Sequence, residues 1–331
     1  MDIFSNHTRL YTTASLLFIA LTILVAILPA LNNQKNNRPL PGSMPLTASQ
    51  QNGKNIYISN GCVACHTQQV RNVDMDKSWG SRPGIAADYA DNKRISTWVN
   101  TATLMGTERT GPDLTNIGTR QASIDWHLLH LYQPRAVVSQ SIMPSYRFLF
   151  DVKKNPGKNE VVVNVPDKYF DTARGKIVAT KDALDLVAYL LSLKQIKLPD
   201  GTPDPEFLYK SEQKTNTDIT SMPGALNGSA LYATHCQSCH QENGEGLKGA
   251  FPSLKGSSVV MNDNPEMLIS IIMEGYDARP EYGAMPSVGI NSNLSPEEVA
   301  AIINHERSSW GNNVRQIPAE EVKKIMDLIK K

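Results

Sequence analysis

All four cysteines of the 331-residue chain fall in two copies of one pattern, Cys62-Val-Ala-Cys65-His66 and Cys236-Gln-Ser-Cys239-His240. Two thiols at this spacing can each form a thioether with a haem vinyl group while the adjacent His reaches the iron, so the pattern reads as c-type haem attachment. A redox dithiol or half of a zinc site would use the same residue types. The repetition of the motif after a shared Gly and Tyr pattern weighs against both. Cys62, Cys65, Cys236 and Cys239 are therefore expected to anchor two haem c groups, with His66 and His240 as proximal axial ligands.

The sixth ligand separates electron transfer from catalysis, because a Met thioether closes the position that peroxide or a gas would occupy. Most Met residues fill cores. Met143 and Met285 differ in preceding a Pro (Met143-Pro144 and Met285-Pro286) in loop-like stretches downstream of each motif, where the Pro stiffens the loop. They are the expected sixth ligands, with Met105, Met261 and Met273 as core alternatives. Pro112 and Pro252 lie between the His and the Met of each block, where a Pro carbonyl can accept the imidazole Nδ1–H and raise its basicity. His127 and His130 share a face of a probable helix. They are read as partners of a haem propionate or a neighbouring subunit, the rival reading being a haem ligand in place of Met143. Arg109, Arg120 and Arg135 are candidate propionate partners or surface charges.

These residues need elements to hold them. Leu10 to Leu31 carries no charge and is long enough to cross a hydrocarbon core, whereas a cleaved signal peptide has a shorter apolar stretch and a better cleavage site. An uncleaved single-span anchor with its tether is expected over residues 1–46. A Pro-rich stretch over 196–223 reads as a linker between two blocks, 47–195 and 224–331. Each block repeats a Gly and Tyr pattern, Gly53 with Tyr57 and Gly228 with Tyr232, shortly before its Cys motif. Each also carries a helical pattern towards its end, from Asp182 to Leu193 and from Ser295 to about Arg307, the latter opened by a capping sequence. The expected architecture is mainly α: one transmembrane helix and two cytochrome c-type haem domains.

The first block runs Gly61-Cys62-x-x-Cys65-His66-x-Gln68-x-x-Arg71, then Arg109-Thr-Gly-Pro-Asp-Leu114 with Gly118 and Arg120. It continues through Trp126-His127, His130, Pro134-Arg135, Ser141, Met143-Pro144 and Tyr146. This series resembles the membrane-anchored mono-haem subunit II, the O subunit, of cbb3-type cytochrome c oxidases. The resemblance covers the anchor and roughly residues 47–195. It implies that His66 and Met143 ligate haem and that electrons pass to a polytopic haem-copper subunit that reduces oxygen. Residues 74–107 depart from the family's usual sequence, and the usual subunit ends after one haem domain. The added block resembles class I cytochrome c domains, as if a separate haem-bearing subunit had been fused on.

The resulting expectation is a membrane-anchored dihaem cytochrome without a substrate-converting site, relaying electrons from a soluble or membrane-bound cytochrome donor or a quinol-oxidising complex. It would sit in the inner membrane of a bacterium with both haem domains in the periplasm, since haem c is attached outside the cytoplasm in the systems it resembles. The alternatives are the same role in a nitric oxide reductase, a dihaem peroxidase and the cytochrome subunit of a periplasmic dehydrogenase. A formal net charge of +1 excludes a protein that grips nucleic acid by bulk charge. That total is a cancellation, with +2 over 1–46, +5 over 47–195, −2 over 196–223 and −4 over 224–331.

Overall fold

A computed structural model describes residues 5–36, 40–89, 104, 106–208, 226–279 and 282–329. Met105, much of the divergent 74–107 stretch and residues 209–223 of the expected linker lie outside the described residues. The described chain is mainly helical, and its contacts divide it into two compact units.

One unit comprises Met1–Thr47, Val63–Asp113 and Gln195–Tyr209. Helix α1 (His7–Leu21) passes through a π-helical stretch (Thr22–Ile27) into α2 (Leu28–Asn36). The helix His7–Asn33 spans 27 residues, and its most apolar 18-residue stretch has a mean hydropathy of 2.6 with none of it buried against protein. At about 1.5 Å per residue the helix reaches about 40 Å, enough for a hydrocarbon core of about 30 Å. A helix of that length and composition fits a single-pass membrane anchor.

The other described residues of this unit have little regular structure and carry ion pairs with buried carboxylates. Asp76, fully buried, pairs with Arg71 at 3.1 Å and Arg109 at 2.7 Å. Arg82 and Asp88 form a buried pair at 2.6 Å. Residues 195–208, which include the first part of the expected linker, bind back onto this unit. Gln195 Oε1 accepts the Ser81 N–H, Arg82 donates to the Ile196 carbonyl, and the Leu208 N–H donates to Asn72 O.

The other unit comprises Ala48–Cys62, Leu114–Lys194 and Lys210–Lys331. Helix α3 (Ala48–Ser59) leads to the short α4 (Cys62–Cys65), and α5 (Ile117–Arg120) and α6 (Ile124–Tyr132) follow. A three-stranded antiparallel sheet then forms from β1 (Phe150–Lys153), β2 (Val162–Val163) and β3 (Lys176–Ala179), in the order β1-β3-β2. Strands this short carry too few residues to show a period of two, so the sequence does not announce them. Helix α7 (Lys181–Ser192) packs across α3. Beyond it lie α8 (Gly228–His235), α9 (Gln237–His240), α10 (Glu266–Glu274), α11 (Val288–Asn291), α12 (Pro296–Ser308) and α13 (Ala319–Ile329).

The repeated Gly and Tyr pattern has a packing cause. A Cβ on Gly53 would lie 1.9 Å from the Asp185 carbonyl oxygen of α7, and one on Gly228 would lie 2.2 Å from the Ala301 carbonyl of α12. Each glycine therefore lets two helices cross with their backbones nearly touching. Tyr57 and Tyr232, one turn further on, are buried at 1% and 2% exposure against the crossing helix. Tyr57 meets Tyr189 edge-on at 5.6 Å, and Tyr232 meets His305 and Trp310. On the C-terminal side the core is built from α10, α12 and α13, with Ile269, Val299, Ile302, Ile303 and Val322 fully buried.

Candidate functional site

At the first motif, α4 presents Cys62 and Cys65 on its single turn. The loop 106–113 straps the motif: Thr107 N–H donates to Val63 O and Gly111 N–H donates to Cys65 O. Asp113, fully buried, accepts from Thr67 Oγ1 at 2.6 Å and from the Gln69 N–H at 2.7 Å. His66 Nδ1 lies 2.8 Å from the Pro112 carbonyl oxygen. A carbonyl only accepts, so Nδ1 carries the proton and Nε2 keeps its lone pair. The imidazole packs closely against Gly111, where a Cβ would stand 2.3 Å from its Cε1.

At the second motif, His240 Nδ1 lies 3.0 Å from the Pro252 carbonyl, fixing the same tautomer. Here the surroundings line a partly open cavity. Cys236, Cys239, His240, Pro252 and Met285 all line it, with apolar walls from Phe251, Leu268, Ile272 and Ile302. Met285 is held by a two-way backbone pairing with Tyr276, at 2.9 and 2.8 Å. Gly275, at φ +84°, makes that turn possible, since a Cβ there would also lie 2.5 Å from Met285 O. Burial pushes the Cys239 thiol up to about 11 and the Cys236 thiol well above its ordinary value. A reactive dithiol needs the opposite shift. Among the described residues no group of three or more His, Cys, Asp or Glu is placed to hold a metal ion, so neither Cys pair has the further ligands of a zinc site. The lining fits a flat, largely apolar group that Cys236 and Cys239 would attach and whose metal the free Nε2 of His240 would hold.

The remaining candidates are distributed as follows. Met143 is half-buried in the loop after α6; its N–H donates to Ser141 Oγ, and Arg135 reaches its carbonyl at 3.5 Å. Arg109 is engaged by Asp76 and by the Gln69 carbonyl. Arg120 lines the cavity of the second motif. His127 is buried and its Nε2–H donates to the Gln121 carbonyl at 2.8 Å, and burial lowers its pKa to about 4. His130 stacks on Trp126 at 4.5 Å between ring centroids. Met273 is buried in the core, where the sequence reading put it as an alternative, and Met261 is partly exposed.

Two features escaped the sequence reading. Glu306 lines the second cavity, is buried, and its Oε2 has no hydrogen-bond partner among the described residues. Its signal was present: 306 continues the buried stripe 299, 302, 303 of α12, so the charge falls on the apolar face. The second is the set Gln121, Asp125 and Trp126: Gln121 and Trp126 touch the second motif and Asp125 the loop of Met285, although all three lie more than 100 residues before those contacts. Sequence separation of that order leaves no local signal.

Two His side chains, each with its Nδ1 held by a Pro carbonyl and each following a Cys pair on a helical turn, fit a c-type cytochrome with covalently bound haem c. More particularly, residues 2–194 match the family described as cytochrome c oxidase, mono-heme subunit/FixO, and residues 223–305 match cytochrome c oxidase, cbb3-type, subunit III. The chain belongs to the FixO family, whose members are membrane-associated and work with a haem-copper oxidase complex, and it carries a fused C-terminal cytochrome c domain.

Among curated proteins it is similar to the cytochrome c subunit of alcohol dehydrogenase (quinone) from Gluconacetobacter polyoxogenes, 32% identical over 45% of this chain and 32% of the relative. It is similar to cytochrome c-552 of Thermus thermophilus, 36% identical over 30% of this chain and 83% of the relative. The fructose dehydrogenase cytochrome subunit of Gluconobacter japonicus is 33% identical over 35% and 24%. The chain spans about a third of the length of the alcohol dehydrogenase subunit it matches.

Proposed function

We propose that this chain is the dihaem electron-transfer subunit of a cbb3-type oxidase, passing electrons from a cytochrome or quinol-oxidising donor to an oxygen-reducing haem-copper subunit. In this reading, residues 1–46 form the anchor and tether, 47–195 and 224–331 each form one haem domain, and both domains face the periplasm. His66 with Met143 and His240 with Met285 are the axial pairs. The observation that carries the reading is the cavity where His240, its Pro252 partner, both motif cysteines and Met285 converge. When bound, haem c supplies a one-electron couple. The residues supply the rest. The Pro112 and Pro252 carbonyls hold each imidazole in the tautomer that offers Nε2, and the apolar walls exclude water. A thioether in the sixth position keeps peroxide and gases out, which disfavours a dihaem peroxidase.

Electrons are proposed to enter at the C-terminal haem and leave from the N-terminal one. Met285→Ala should slow entry from the donor while leaving oxidation of a pre-reduced first haem intact. The similarity to dehydrogenase cytochrome subunits favours a second reading, in which the donor is a periplasmic dehydrogenase. Gentle detergent extraction, identification of the polytopic partner, and measured oxygen against nitric oxide consumption decide between the acceptors. A chain that purifies alone and consumes peroxide would sink the reading.

A further inference from the structure

Helix α6 makes contacts at both ends that bear on haem sites. At its first turn, the Trp126 indole Nε1–H donates to the Ser238 carbonyl at 2.9 Å, between the two cysteines of the second motif. Just before it, Gln121 Nε2 donates to Ser238 Oγ at 2.8 Å. Asp125, next along, accepts the Ala284 N–H at 3.2 Å, one residue from Met285. Asp125 also packs on Gly283, where a Cβ would stand 2.8 Å from its own. One turn of helix thus holds the C-terminal haem site on both its motif and its Met loop. Residues Thr119 to Ala122, ahead of α6, line the same cavity.

At the last turn, the Leu131 carbonyl accepts the Tyr146 N–H at 2.8 Å, and Gln133, just past the helix, accepts from Ser145 Oγ at 2.7 Å. Ser145 and Tyr146 belong to the loop of Met143. Along the axis, Trp126 and Leu131 are separated by about 7.5 Å at about 1.5 Å per residue. The helix is firmly set. Ser123 caps its first turn, His127 is tied to the Gln121 carbonyl, and the Trp126 ring lies stacked on His130, which holds the indole towards Ser238.

We propose that α6 is the element that couples the two haems, with Trp126 as the positioning residue at the contact through which electrons pass between them. The step is a single electron transfer: one iron is oxidised as the other is reduced, and no proton or group moves. The proposal rests on the reading of Met143 and Met285 as ligands in a dihaem relay.

The test uses the full chain in detergent with both haems in place. The C-terminal haem is photoreduced from a ruthenium complex tethered at Leu328→Cys on the exposed face of α13, and the exchange is followed by absorbance and freeze-quench EPR of both ferric haems. Haem content and both reduction potentials are measured alongside. Trp126→Phe, which keeps an aromatic ring but loses the N–H, should slow exchange about tenfold or more with two haems per chain and unchanged potentials. The double variant Gln121→Ala/Asp125→Ala, which leaves the indole in place, should slow it in the same way. Exchange at the unaltered rate in either variant overturns the proposal, and so does slowing that merely follows a changed potential. An unsubstituted chain with only one haem overturns the dihaem reading itself, and the coupling with it.

Discussion

His66 and His240, the proposed haem ligands, are oriented by backbone groups rather than by other side chains. Each imidazole is oriented by one Pro carbonyl, and the first is further pressed against Gly111. Gly111→Ala places a methyl group 2.3 Å from the His66 ring, so the ring must move. The expected outcome is loss of the N-terminal haem, read as one haem fewer per chain with the C-terminal spectrum retained. Glu306 carries a different consequence. Burial raises its pKa to about 8, well above the ordinary carboxyl value. The folded state therefore holds a proton that the unfolded state has released, so stability falls as pH rises from about 4.5 towards 8. Glu306→Gln should flatten that decline and raise the melting temperature of the holoprotein at pH 8 by about 4–8 °C, as expected for about 1 kcal/mol in a domain of this size. Thermal melts across pH 5–9 of both proteins check it, and an unchanged slope would refute it.

At the scale of elements, each Cys motif follows a helix crossing that only glycine permits, α3 on α7 and α8 on α12. Gly228→Ala or Gly53→Ala forces the helices apart at a backbone carbonyl, and each should cost about 1–3 kcal/mol by overpacking. Chemical denaturation measures this. Helix α12 is opened by a capping box in which Ser295 accepts from Glu298 N–H and Glu298 accepts from Ser295 N–H. Ser295→Ala should cost about 1 kcal/mol. The crossing glycines and the cap were both visible in the sequence, as a repeated Gly and Tyr pattern and as Ser-Pro-Glu-Glu. The small sheet and the short α13 were not. Strands of two to four residues are too short to show a period, and α13 is amphipathic over only three turns, with Val322 and Met326 as its buried positions.

At the scale of the whole molecule, one apolar helix and two oppositely charged blocks set how the protein meets its surroundings. Removing residues 1–46 should release a chain that stays in solution and keeps its haem, yet no longer reduces the oxidase in membranes at the original rate. Membrane fractionation and haem content report this. The acidic block 224–331 is expected to steer a basic cytochrome donor. Entry should then slow several-fold as the Debye length falls from about 30 Å at 0.01 M to about 8 Å at 0.15 M salt. Stopped-flow reduction over that range tests it, and a rate indifferent to salt would remove the steering idea.

The sequence alone determined the covalent chemistry and the broad class. A Cys-x-x-Cys-His pattern is local, so residue type and spacing within five positions suffice to place thiols and imidazole on one helical turn. The anchor is equally local, a matter of length and hydropathy. The orienting carbonyls of Pro112 and Pro252 could be guessed, because each lies in a short loop between fixed points. Only the tertiary structure decided that Arg109 pairs with Asp76, that Arg120 faces the second cavity, that Gln121 and Trp126 reach the second motif, and that Asp125 reaches the loop of Met285. Those contacts join residues 33 to 159 positions apart. They depend on how helices pack, which no short window of sequence encodes.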